Sequence, residues 1–179
     1  RHLAEALVRQ VAHGIEGQAQ AVLAEQRHAP AIEQLADDAT VVSVDRLGDL
    51  VADITTCRCC PRLVAWREEV AQRRVARHRD DVYWGRPVPG YGDPEARIFI
   101  LGLAPAAHGA NRTGRVFTGD GPLGSGEFLM RAMHAHGFAS IPTSQSADDG
   151  LMLTDAFIAA AVRCAPPDNK PTPEEITAC

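Results

Sequence analysis

An α/β fold with a central parallel sheet is predicted by three features of the sequence. A short apolar run with β-branched and aromatic residues spans Arg97–Leu103, a second strand candidate spans Leu151–Val162, and a helical pattern lies between them. The order strand, loop, helix, strand, helix implies right-handed crossovers. The chain has 179 residues, 45% hydrophobic and 23% charged, which suits one globular domain able to bury about 70% of its unfolded surface. No repeat or compositional block dominates, so fibrous and low-complexity classes are excluded. No apolar run approaches the roughly 20 residues needed to cross a bilayer. The sequence runs from Arg1 to Cys179 with no Met at its start and no charged-then-apolar leader. A fragment of a longer, non-secreted protein is expected.

Each element has a local reason. Leu3, Leu7, Val11 and Ile15 recur every four residues and Ala19, Val22 and Leu23 continue the face, predicting an amphipathic helix that Pro30 interrupts. A second short helical stretch, Ile32–Ala36, runs into Asp37 and Asp38. Residues 1–40 are expected to form a helical extension outside a main domain of residues 41–179. Val44, Leu47, Leu50, Val51 and Ile54 predict a helix with Ser43 or Asp45 as cap. Gly85 to Pro94 holds three glycines and three prolines and is expected to be loop. Arg97–Leu103 is expected to be a strand buried on both faces, followed by a glycine-rich stretch from Ala104 to Gly126. Phe128, Leu129, Ala132 and Met133 predict a helix closed by Gly137. Thr172-Pro173-Glu174-Glu175 opens the last helix, with acids where the macrodipole favours them.

The formal charge is −5, but it is unevenly spread. Seven arginines (Arg58, Arg62, Arg67, Arg73, Arg74, Arg77, Arg79) stand against Glu68 and Glu69 between residues 58 and 79. Such a local excess attracts a phosphate backbone, or equally serves as a solvated helix face. Cysteines are informative too. Cys57 and Cys60 are separated by two residues and Cys164 and Cys179 by fourteen, with Cys59 the odd member, expected to point elsewhere. Two pairs flanking a domain suggest a soft-ligand site, and four thiolates suit either tetrahedral zinc or a [4Fe–4S] cluster.

The flanking residues are specific. Cys-x-x-Cys-Pro-Arg-Leu at 57–63, and Val162-Arg-Cys164-Ala-Pro-Pro-Asp-Asn169-Lys-Pro-Thr-Pro-Glu-Glu175 leading to Cys179, resemble the cluster-binding segments of iron–sulphur uracil-DNA glycosylases. Between them, Gly102-Leu-Ala-Pro-Ala-Ala-His108-Gly-Ala-Asn-Arg112-Thr-Gly-Arg115-Val-Phe117-Thr-Gly-Asp120 resembles the first active-site motif of the type B, or family 5, branch. The resemblance covers about residues 41–179. It implies a three-layer uracil-DNA glycosylase-like fold with a four-stranded parallel sheet, of which two strands are found here. It also implies a structural [4Fe–4S] cluster on Cys57, Cys60, Cys164 and Cys179. The implied reaction is hydrolysis of the N-glycosidic bond of uracil, or of other deaminated bases such as hypoxanthine, flipped out of DNA. A DNA partner, a monomer, no membrane and a cytoplasmic, nucleoid-associated location are expected. A catalytically inactive, metal- or cluster-stapled nucleic-acid-binding module is the alternative.

Such a reaction needs an extruded base, a grip on it, stabilisation of a cationic sugar, and water. Phe117, on a loop among glycines, is the candidate stacking platform, with a core aromatic as the plain alternative. Asp120 is the candidate carboxylate facing the anomeric carbon, or else a helix cap. Asn169 would bind water or the sugar–base junction, or close an Asx-turn. The stretch Ala104-Pro-Ala-Ala107 offers no polar side chain, so the charge has to come from elsewhere. Ala104 and Gly109 would shape the base pocket and His108 would contact base or phosphate. Arg112 and Arg115 are expected to meet the DNA backbone. The family's His-Pro-Ser-like loop has no counterpart here, so the fragment alone is expected to be inactive or barely folded.

Overall fold

The computed structural model describes residues 44–179. The helices predicted over residues 1–40 lie outside the described residues. Helix α1 runs Val44–Thr56 and α2 runs Pro61–Arg73. Pro61 sits in the first turn of α2, where its missing amide costs no hydrogen bond. Leu63, Val64 and Val70 form the buried stripe of that helix, and Arg67 lies on the same stripe.

Three strands follow: β1 (Tyr91–Gly92), β2 (Ile98–Gly102) and β3 (Ala156–Ala160), in the order β1-β3-β2. β2 and β3 pair in parallel, with Ile98 opposite Ala156 and Gly102 opposite Ala160. β1 pairs antiparallel with β3, Tyr91 opposite Ile158, so the sheet is mixed. β1 lies in the stretch expected to be loop; a two-residue strand between glycines and prolines leaves no hydrophobic periodicity to read. Between β2 and β3 stand two helices, α3 (Ala110–Thr113) and α4 (Ser125–Ala135). Past the end of α4, the Gly137 amide donates to the His134 carbonyl at a φ of +80°, the left-handed close that favours glycine. The last helix, α5 (Pro173–Ala178), begins with a capping box in which Thr172 Oγ1 accepts from the Glu175 amide.

Burial corrects one expectation. β3 is the covered strand, with Ala156, Ile158, Ala159 and Ala160 at 2% exposure or less. β2 is not buried on both faces, for Phe99 and Leu101 are more than half exposed. The apolar composition of Arg97–Leu103 does mark a strand, but β3 is its one neighbour among the described residues. One core cluster gathers Val88, Val116, Met130, Met133 and Ile158 around β3. A second is made by Leu63 of α2 with Val162 and Cys164, and Cys60 and Ala104 pack against it. That second cluster joins the cysteine-bearing segments to the loop that follows β2.

Candidate active site

The loop after β2 and the segment after α3 meet over a pair of adjoining cavities. The first, of about 130 Å³, is lined by Gly102, Ala104, Pro105, Ala106, Phe117 and Asp120 among others. The second, of about 200 Å³, is lined by Arg77, His108, Gly109, Asp120 and Asn169 with Ala106, Ala107 and Gly119. Asp120 borders both. Phe117, Asp120, Ala104, His108, Gly109 and Asn169 are thus gathered into one region from three separate stretches of chain.

Glycines seat the two central side chains. A Cβ on Gly102 would come within 3.1 Å of the Phe117 ring, and one on Gly126 would overlap the Phe117 carbonyl. Phe117 itself has φ +52°, a conformation that costs a non-glycine residue energy and persists where its surroundings impose it. A Cβ on Gly109 would overlap the Asp120 carboxylate, so the carboxylate occupies room that only glycine leaves. The N-cap of α4 is Gly124 rather than Asp120, which disposes of the capping role. Asp120 reaches solvent, yet partial loss of water raises its pKa above the usual carboxylate value, with the Arg112 charge pulling it back. His108 Nδ1 shares a hydrogen bond of 3.0 Å with the hydroxyl of buried Tyr83. Burial lowers the His108 pKa, and Arg77, His78 and Arg112 lower it further, which favours the neutral ring. Asn169 is exposed with φ +56°, a left-handed conformation that asparagine accepts more readily than most residues.

A third cavity, of about 200 Å³, is lined by Cys57, Cys60, Cys164 and Cys179. Cys59 faces it too and does not point elsewhere, because residues 57–60 join two helices as irregular turn without strand-like alternation. Arg62 stands two residues beyond Cys60. Its Nε and Nη2 donate to Glu175 Oε1 and Oε2 at 2.8 and 2.7 Å, tying α2 to α5. The Arg163 amide donates to Cys179 Sγ at 3.3 Å, and buried Arg67 donates to Cys164 Sγ at 2.8 Å. Among the described residues no three such side chains converge closely enough to hold a single metal ion. A zinc ion fills the space between its sulfurs at about 2.3 Å, whereas these thiols stand around a roomier cavity. Thiols gathered around one cavity, with Asp53 the one carboxylate residue on its lining, fit an iron–sulphur cluster.

Residues 89–179, half of the chain, match the family model of the uracil DNA glycosylase superfamily. The chain belongs to the uracil-DNA glycosylase superfamily. Among its relatives, the type-5 uracil-DNA glycosylase of Thermus thermophilus is 60% identical over 129 residues, 72% of this chain and 57% of that protein. The type-5 enzyme of Pyrobaculum aerophilum is 48% identical over 131 residues, 73% of this chain and 56% of that protein. A type-4 uracil-DNA glycosylase of Archaeoglobus fulgidus is more distant, 28% identical over 137 residues, 76% of this chain and 51% of that protein. The chain spans about half the length of the curated relatives it matches.

Two arginines of the superfamily motif do not lie where their charge suggested. Arg115 was expected at the DNA backbone but is 6% exposed, and its guanidinium pairs with Asp149 at 2.7 Å and donates to Thr118 and Ser144. Arg112 is also engaged: it donates to the His108 and Gly119 carbonyls at 2.8 and 2.9 Å and to Asp81 at 2.9 Å. It braces the two ends of the motif loop. Three of the seven arginines in the basic run are paired as well, Arg58 on Glu68, Arg62 on Glu175 and Arg73 on Glu69. Arg77 is the member of that run which reaches the second cavity. Tyr83 is the site residue that sequence reasoning passed over, while Arg77 and Arg67 were read only as members of the basic run. Arg67 left a further signal, as a charged residue in the apolar stripe Cys60, Leu63, Val64, Val70.

Proposed function

We propose that the full-length protein is a DNA-repair glycosylase that hydrolyses the N-glycosidic bond of uracil in DNA and leaves an abasic site. The observation that carries this reading is the shared border: Phe117 and Asp120 line one small cavity whose other side chains, Ser125 apart, are apolar. A flipped base stacks on the Phe117 ring between walls of Ala104 and Ala106. As the glycosidic bond stretches, positive charge develops on the sugar, and the Asp120 carboxylate stabilises it and orients the attacking water. In the adjoining cavity Asn169 offers an amide to that water or to the sugar. Neutral His108, with Tyr83 on Nδ1, presents its other nitrogen to the base or its phosphate. Arg77 supplies the cation for the backbone. The weakly polar pocket grips no single base edge strongly, which favours hypoxanthine as a second substrate.

Cys57, Cys60, Cys164 and Cys179 would hold a [4Fe–4S] cluster. Its contribution is structural: a staple joining α1, α2 and the segment after β3 behind the base pocket, through Leu63, Val162 and Ala104. Action on genomic DNA places the protein at the nucleoid.

The test uses full-length protein on a duplex carrying one uracil, followed by alkaline cleavage at abasic sites. Strand scission at the uracil position is expected, and at hypoxanthine with a second duplex. Retention of the duplex without base release would instead support a binding module.

A further inference from the structure

Arg67 is 2% exposed and lies between the two cysteine-bearing segments. Its Nη1 donates to Cys164 Sγ at 2.8 Å and its Nη2 to the Cys57 carbonyl at 3.2 Å. Its Nε is buried without a partner. The Arg67 carbonyl accepts from Asn111 Nδ2 at 3.2 Å, which fixes the backbone beneath it. A guanidinium this deeply buried is costly unless an anion answers it. The carboxylate of Glu68 stands 3.9 Å away, but it is already bonded to Arg58 at 2.5 and 3.2 Å near the surface. What remains against the guanidinium is the sulfur of Cys164, which is anionic when it serves as a ligand.

We propose that Arg67 is a positioning residue for the iron–sulphur cluster, holding the Cys164 ligand by a charge-assisted hydrogen bond and raising the cluster's reduction potential. The proposal rests on the cluster reading above. Hydrogen bonds and positive charge at a ligand sulfur stabilise the more reduced, more negative cluster, and partners beyond the ligands govern how firmly a metal group is kept. By reaching both Cys164 and the backbone of Cys57, one side chain spans the two halves of the ligand set and presets their separation.

The test compares wild type, Arg67→Met and Arg67→Lys as full-length proteins purified without oxygen. Three quantities are read: iron per chain, reduction potential, and the rate at which chelator bleaches the visible absorbance. In Arg67→Met the potential shifts negative and bleaching accelerates at least about ten-fold. Arg67→Lys keeps the charge but cannot span both partners, so its potential shifts less while bleaching still accelerates. Wild-type potential and bleaching in either folded variant overturns the role of Arg67 and leaves the cluster intact. Absence of iron from wild type overturns both.

Discussion

The carboxylate of Asp120 fills the space that a side chain on Gly109 would take, so the position of the one acid between the two cavities is set by a missing methyl group. Gly109 is buried at φ −95° and ψ −100°, outside the regions alanine favours, so its replacement probes backbone as well as space. Gly109→Ala is expected to displace Asp120 and lower single-turnover base release about 10²-fold, a typical cost of a misplaced catalytic group. Far-ultraviolet circular dichroism, expected to be unchanged, checks that the fold survives.

The raised Asp120 pKa has a directional consequence. The ionised form does the work, so activity falls as pH drops through a value above the ordinary carboxylate pKa of about 3.9. Because Arg112 pulls that value down, Arg112→Gln is expected to move the acid limb of the kcat/KM profile to higher pH. A limb that stays in place would separate Arg112 from the carboxylate.

The Arg62–Glu175 clamp connects residues 113 positions apart and joins the helices that bear Cys60 and Cys179. Arg62→Met is expected to speed loss of iron to a chelator about ten-fold, in the range for supporting residues around metal ligands. Iron content after timed exposure to chelator reads this out.

Arg115 predicts a stability effect instead of a DNA-binding one. Its side chain and that of Asp149 are 7% and 12% exposed, so Arg115→Met strands a buried carboxylate and costs about 3 kcal/mol. Urea unfolding measures it, while the salt dependence of duplex binding is expected to be unchanged. Burial alone would raise the Asp149 pKa; Arg115 and the amides of Gln145 and Leu151 outweigh it and bring it below the usual value. The pair therefore stabilises above the ordinary carboxylate range and is lost as pH falls through the lowered pKa.

What could be read from the sequence were the features whose cause is local. Helix α1 follows from the spacing of Val44, Leu47, Leu50 and Ile54. The two cysteine pairs are legible by their spacing, though the cavity that joins them brings together distant stretches, and the meeting of Phe117 with Asp120 needs a separation of only three residues. The rest depended on distant partners. Arg115 and Arg112 carry the same charge three residues apart, yet Asp149 and Asp81 decide where each goes. Phe99 and Leu101 share one face of β2, and their exposure depends on what packs on that face, which an apolar run does not encode. Tyr83 reaches His108 across 25 positions, a pairing without any periodic trace.

The measurement that bears most directly on the proposed chemistry is single-turnover uracil release by the full-length protein, wild type against Asp120→Asn, on one duplex at saturating protein. The predicted result is a loss of at least about 10²-fold with duplex affinity retained, since asparagine keeps the shape but not the charge that answers the cationic sugar. Release at the wild-type rate by the folded Asn variant would contradict it.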